Sequence, residues 1–430
     1  MNKSSHRPRR PGGQEPDAPG VPARRAALKL LDAVLRRGLA LEQALDSAAA
    51  GLAPNDRGLA HAIAAESLRR LPDLDALIDS ATQRDLPEDA KARFALRIAL
   101  VQVLALGTPG HAAISTVLPL VDGGPRKLVH GVFGTLVRQG ATLPEPPTLP
   151  DPVALRWHTA WGDQMIEDAE RAIAVPPPLD LTLRDPARAP DLPGKSLLPG
   201  HLRLDERASV PGIEGYGEGD WWVQDLAASL PARLLGKGAG IALDLCAAPG
   251  GKTLQLAAAG WEVTAVDISE SRLARLAENL DRTGLKARVV AADLLTWQPA
   301  APADAVLLDA PCSATGIFRR HPDVLHRVRP SLIAEMAALQ TRLLARAADW
   351  VKPGGVLVFS TCSLEPQEGE ARLDAFLAAN PDFALDPVRA DELPAGVTSR
   401  ADGSLRVLPG MLADQGGLDG FFIARLRRTT

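Results

Sequence analysis

Three cysteines occur in the 430 residues, and each closes a strand-like apolar run: Ile241–Cys246, Ala305–Cys312 and Val356–Cys362. The last two runs end in L-L-D-A-P-C-S (Leu307–Ser313) and F-S-T-C-S (Phe359–Ser363). A thiol at the carboxyl end of a strand in an open α/β sheet faces the crevice where such sheets bind ligands. The chemistry that calls for a thiolate there is addition to an electron-poor ring. C5 of cytosine is a poor nucleophile until something adds to C6, and a thiolate both adds well and leaves again. Free cysteines are commonly small buried hydrophobes. Here the neighbours Asp309, Pro311 and Thr361 point to nucleobase chemistry instead.

A second constellation surrounds L-D-L-C-A-A-P-G-G-K-T (Leu243–Thr253). Gly250 and Gly251 let the backbone approach a ligand at the amino end of the next helix. Asp267 then ends a second strand, where an acid accepts from both ribose hydroxyls. Asp293 is expected to end a third, beside an adenine amino group. Together they describe a nucleoside cofactor site. The loop lacks the G-x-G-x-x-G of dinucleotide binders, which favours S-adenosylmethionine over NAD. Asp309 ends a fourth strand, three residues before Cys312, where a carboxyl group can bond the N3/N4 edge of a flipped cytosine. Lys252 either pairs with an acid or contacts the base. Arg319, Arg320 and His321, with Arg327 and Arg329 beyond, are the best phosphate-contact candidates; solvated surface arginines are the alternative. For Trp221 and Trp222 a core role is favoured over base stacking.

The elements that must position these residues follow from periodicity. From Gly240, strands at Ile241–Cys246, Glu262–Asp267, Ala287–Asp293, Ala305–Asp309 and Gly355–Cys362 alternate with helices such as Ser269–Arg282 and Ser331–Trp350. That alternation predicts a parallel, doubly wound sheet, with a terminal strand Phe421–Arg427 inserted antiparallel. Residues 23–140 read as an all-α domain: Ala27, Leu30, Leu31 and Val34 share a helix face, Asp56 is expected to cap a helix running to Arg70, and further helices cover 88–106 and 126–139. A linker with five prolines spans 141–152. Residues 153–220 read as a small α+β module, with one helix over 153–174 and strands near Leu179–Leu183 and His201–Leu204. The catalytic domain is expected over 221–430.

Composition narrows the classes. The chain is 46% hydrophobic, enough for real cores, and has no apolar run as long as the ~18 residues of a membrane span. No signal-peptide core occurs in residues 1–25, and three free cysteines suit a reducing cytosol. Metal-ligand spacings are missing. A net charge of −4 excludes a chain that binds nucleic acid through bulk charge. Residues 1–22 are expected to be a disordered tail, basic through Lys3, Arg7, Arg9 and Arg10.

These motifs resemble the bacterial ribosomal RNA (cytosine-5)-methyltransferases of the Sun/Fmu type, the RsmB group. The matching residues are D-L-C-A-A-P-G-G-K-T (244–253), V-D-I-S (266–269), L-L-D-A-P-C-S-A-T-G (307–316), R-R-H-P-D (319–323), S-T-C-S (360–363), W-V-Q-D (222–225) and D-G-F-F-I-A (419–424). The amino-terminal helices are similar to the RNA-binding domain of the antitermination factor NusB. The resemblance implies an α/β, Rossmann-type S-adenosyl-L-methionine methyltransferase domain preceded by an all-α NusB-like domain and the small α+β module. It implies cofactor contacts at Cys246, Ala247, Ala248, Pro249, Gly250, Gly251, Lys252, Asp267, Asp293 and Asp309. It also makes Cys362 the nucleophile and Cys312 the thiol that assists product release, with Asp309 and Lys252 completing the catalytic set. The residues alone do not rank the two thiols, since DNA cytosine methyltransferases use a Pro-Cys nucleophile. The implied substrate is a cytosine in small-subunit ribosomal RNA, and a cytoplasmic monomer without metal or membrane partner is expected. A DNA methyltransferase and a non-catalytic RNA-binding assembly factor are the rival readings. Asp185 departs from the family pattern, where Asn is expected, and Val-Leu-His follows His-Pro-Asp.

Overall fold

The computed structural model describes residues 17–188, 191–205 and 209–429. The expected basic arm at 1–10 lies outside them. The chain divides into two compact units, with the boundary between Leu143 and Pro144.

The first unit is helical: α1 (Val21–Leu35), α2 (Leu41–Ala48), α3 (Pro54–Arg69), α4 (Leu71–Ser80), α5 (Lys91–Leu104), α6 (Gly110–Val117) and α7 (Gly123–Arg138). The expected apolar face holds, since Ala27, Leu30, Leu31 and Val34 pack into one core with Ile63, Leu68, Leu96, Leu100 and Phe133. Asp56 does not cap its helix. Pro54 starts α3 two residues earlier, because proline needs no N–H there and its φ is already helical. Asp56 lies instead in the first turn, where its charge faces the positive end of the helix dipole.

The second unit opens with α8 (Asp151–Trp161) and α9 (Asp163–Ala174). The single helix expected over 153–174 is thus two, because Gly162 adopts φ 82° and ψ −176°, which no α-helix can pass. Trp157 on α8 is fully buried against Phe318, with ring centroids 5.3 Å apart. Next come β1 (Asp180–Leu183), β2 (Gly194–Lys195), β3 (His201–Leu204) and β4 (Trp221–Val223), an antiparallel sheet in the order β2-β3-β1-β4. Both tryptophans of β4 are buried, so their role is in the core.

After α10 (Leu226–Arg233), the chain builds the large sheet. Its elements are β5 (Ile241–Leu245), α11 (Gly251–Ala258), β6 (Glu262–Asp267), α12 (Glu270–Thr283), β7 (Arg288–Ala291), β8 (Ala303–Asp309), α13 (Val324–Arg327), α14 (Pro330–Asp349), β9 (Val351–Thr361), α15 (Glu370–Ala379), β10 (Phe383–Leu385), β11 (Leu405–Val407) and β12 (Phe421–Arg428). The order is β10-β12-β9-β8-β5-β6-β7, with β11 also on β12. Strands β5 to β9 pair parallel, and β12 lies antiparallel beside β9. The order of the parallel strands reverses at β5, which has β8 on one side and β6 on the other. Open sheets bind ligands at such a switch point, beyond the carboxyl ends of their strands. Strand β7 is shorter than expected and stops at Ala291, so Asp293 sits beyond it in a turn that its own carboxylate closes by accepting from Leu295 N–H, 2.9 Å. Among the described residues no helix is long and apolar enough to cross a membrane.

Candidate active site

The loop between β5 and α11 is shaped by backbone that few residue types tolerate. Gly250 has φ 109°, and a Cβ there would fall 2.7 Å from Leu276 Cγ. Cys246 also has a positive φ of 61°. The first turn of α11 follows at once, and its leading N–H groups have no partners within the helix. Asp267, at the end of β6, accepts from Ala248 N–H through Oδ2 at 3.1 Å and from Ser269 N–H through Oδ1 at 2.9 Å. Arg272 bonds the Ala248 carbonyl from the other side. The loop is therefore set before any ligand arrives. Ile268 projects beside it with 71% of its surface exposed, an apolar plate that the sequence reading passed over. The Asp293 carboxylate is exposed. A glycine loop at a helix amino end, a strand-end acid, an apolar plate and an open carboxylate fit the nucleoside and amino-acid parts of S-adenosylmethionine.

Beneath the loop lies Asp244, fully buried on β5. Thr253 donates to its Oδ2, while Oδ1 has no hydrogen-bond partner. Burial raises its pKa to about 7 against the opposing pull of the Thr253 hydroxyl and the Lys252 charge. Cys246 is likewise pushed up, first by burial and then by the carboxylates of Asp267, Asp309 and Asp244.

The other two sulfurs converge. Cys312, past the end of β8, and Cys362, just after β9, stand 3.4 Å apart. Cys312 is pushed well above the usual thiol range, first by its hydrogen bond with Cys362, then by burial, then by the charges of Cys362 and Glu368. Lys252 reaches over from α11 to Asp309 Oδ2 at 2.7 Å, while Ser360 donates to Oδ1 at 2.8 Å. Burial alone would discharge Lys252. The Asp309 charge and hydrogen bond, with Asp244 and Cys362 nearby, outweigh burial and raise its pKa. Its Nζ also lies 5.6 Å from the centre of the Phe421 ring. Of the two roles open to Lys252, the acid pair is thus present in the folded chain.

The arginines after Cys312 are not free to meet phosphate. Arg320 pairs with Asp225 at 2.8 Å and Asp419 at 3.0 Å, and Arg319, buried, donates to the Gly416 carbonyl. Arg327 pairs with Asp323. They bind the Cys312 loop to neighbouring segments; only Arg329 is exposed. Asp185 closes its own turn by accepting from Ala187 N–H. Sequence reasoning missed Glu368, a buried carboxylate between the two cysteine loops. The available signal was the serine that follows each cysteine, because Ser313 and Ser363 both bond to it.

Comparison with known proteins places these features in context. The profile of the 16S rRNA methyltransferase RsmB/F family matches residues 234–427, and that of the NusB family matches residues 21–133. Ribosomal RNA small subunit methyltransferase B of Xanthomonas campestris is 34% identical, over 97% of this chain and 99% of its own. The enzyme of that name from Xylella fastidiosa (strain Temecula1) is 36% identical over 95% and 98%. Among solved structures, PH0851 matches with a TM-score of 0.71 and 23% identity, covering 96% of this chain and all of that one.

Proposed function

The chain belongs to the RsmB family of 16S ribosomal RNA methyltransferases, and we infer that Cys362 is the nucleophile of the reaction this membership assigns to it. That reaction is methylation of C5 of a cytosine in 16S ribosomal RNA, with S-adenosyl-L-methionine as the methyl donor.

The observation that carries the division of labour is the unequal setting of the two sulfurs. Cys312 is held as a thiol by its bond to Cys362, by burial and by the charges facing it. The charged Lys252 ammonium, paired with Asp309, lies within electrostatic reach of Cys362. Cys362 Sγ therefore adds to C6. Asp309, bonded to Lys252, accepts from the N4 amino group and holds the ring edge. Bound S-adenosylmethionine supplies the electrophilic methyl group that C5 takes. Residues 246–252, Asp267 and Asp293 would hold that cofactor, together with Asp309.

Once Cys362 is a thioether, its thiol hydrogen bond and its charge no longer raise Cys312, which leaves burial and the Glu368 charge to oppose ionisation. Cys312 then loses its proton to solvent and takes the one on C5. The freed electron pair restores the C5–C6 double bond and expels Cys362 as thiolate. The helical unit at 21–133 holds RNA, and the substrate places the enzyme in the cytosol. Mass spectrometry of the RNA-linked peptide, trapped on 5-fluorocytosine RNA, tests the assignment. Linkage through Cys362 supports it; linkage through Cys312 gives the DNA-type order and overturns it.

A further inference from the structure

We propose that Glu368 is a positioning residue that holds Cys312 in register with Cys362 for product release. The proposal rests on the roles given above to the two thiols. Glu368 is completely buried on the short turn after β9. Its Oε1 accepts from Ser313 N–H at 2.8 Å and from the Gln340 side-chain amide at 3.2 Å. Its Oε2 accepts from the hydroxyls of Ser313 and Ser363, the residues that directly follow the two cysteines. One carboxylate thus bridges two segments 50 residues apart whose sulfurs stand 3.4 Å from each other.

The two thiols do not depend on this bridge equally. Cys362 follows an interior strand paired on both sides, as far as Ser360 with Asp309 and Thr361 with Phe422. Its carbonyl also accepts from Gly316 N–H at 2.9 Å. Cys312 lies three residues past β8 in a loop, and Ser313 gives Glu368 both its N–H and its hydroxyl. Removing the carboxylate therefore frees Cys312 first and leaves Cys362 in place. Burial raises the pKa of Glu368 while its serine and glutamine donors pull it back, so an isosteric amide tests the acceptor role with little change of volume.

The experiment compares Glu368→Gln, Cys312→Ala and the unaltered protein on a 16S ribosomal RNA transcript with ordinary cytosine. Each is followed for methyl incorporation in one turnover, for RNA-linked protein on denaturing gels and for S-adenosylmethionine affinity. We expect Glu368→Gln to bind cofactor as the unaltered protein does, to add the methyl group, and to release RNA on the order of 10–100-fold more slowly, as misplacement of a reacting group by ~1 Å would cause. RNA-linked protein should then accumulate. A merely structural role would lower cofactor affinity and methyl transfer together and leave no linked species, and that result overturns the proposal. Release at the unaltered rate overturns it as well. If Glu368→Gln does not fold, Ser313→Ala decides: slowed release with linked RNA supports the proposal, and unchanged release sinks it. Should Cys312→Ala itself accumulate no linked RNA, the assignment of the thiols has failed rather than the role of Glu368.

Discussion

The sulfur atoms of Cys312 and Cys362 stand 3.4 Å apart, although 50 residues separate them in the chain. Cys312 is raised first of all by its hydrogen bond with Cys362. Cys362→Ala should abolish methylation and any covalent RNA species, because no neighbouring thiolate can replace the addition at C6. Cys312→Ala should still form the bond and transfer the methyl group but stall elimination. Denaturing gels would then show a protein–RNA band in that variant, absent in the double variant. A band appearing only when Cys362 is removed would reverse the assignment.

Asp267 accepts from both Ala248 N–H and Ser269 N–H, beside the ribose contact proposed for it. Asp267→Ala removes charged hydrogen bonds worth about 1.5–3 kcal/mol each. Calorimetry should register S-adenosylmethionine affinity weakened at least tenfold. Undiminished affinity would remove Asp267 from the site.

The buried Asp244 gives stability a pH dependence opposite to that of most carboxylates. Its folded pKa, raised to about 7 by burial, exceeds an unfolded value of about 3.9. The folded state binds the proton more tightly, so the contribution is complete below the unfolded value and is lost as pH rises through about 7. Asp244→Asn should therefore gain on the parent protein between pH 5.5 and pH 8, in melting temperature measured without cofactor. A difference that stays constant over that range would show that the group does not titrate there.

In the small sheet, Asp180 behaves in the ordinary sense. Burial opposes its ionisation, but Arg203, bonded at 2.7 and 2.8 Å, and His201 hold its carboxyl far below the usual carboxylate range. This stabilisation is present above the unfolded pKa and is lost as pH falls toward the folded value. Asp180→Asn leaves Arg203 buried without its counter-charge, which costs about 3–5 kcal/mol. Chemical denaturation at pH 7 measures it, and a loss under 1 kcal/mol would contradict the pairing.

The helical unit should contribute affinity rather than chemistry. A protein beginning at Pro144, where the second compact unit starts, should bind S-adenosylmethionine normally and methylate RNA with a raised KM. Equal kcat/KM for both forms, each shown to be folded, would refute an RNA-holding role.

What the sequence discloses follows from how locally each feature is encoded. The catalytic sheet is legible because strand and helix periods alternate over short spans, and Asp267 and Asp309 do end β6 and β8. Asp293 misses its strand because a carboxylate two residues from a free N–H closes a turn instead of extending the ladder. The break at Gly162 is carried by one residue inside an otherwise continuous apolar period. Arg319 and Arg320 look like solvent-facing charge, since their partners Asp225, Gly416 and Asp419 lie about a hundred residues away. Glu368 sits on a short turn without periodicity, and its bond to Ser313, 55 residues away, is not encoded locally.

Strand β12 runs antiparallel along β9 from Thr361 to Val356 and brings Phe421 near the Lys252 ammonium. It is made some sixty residues after Cys362. Until then β9, which leads into Cys362, is an open edge with unpaired backbone groups, the kind of edge that recruits other chains. The strand bearing Cys362 at its end is thus flanked on both sides only once β12 has paired with it. A chain cut short before β12 should leave β9 unpaired on one side and be prone to aggregate.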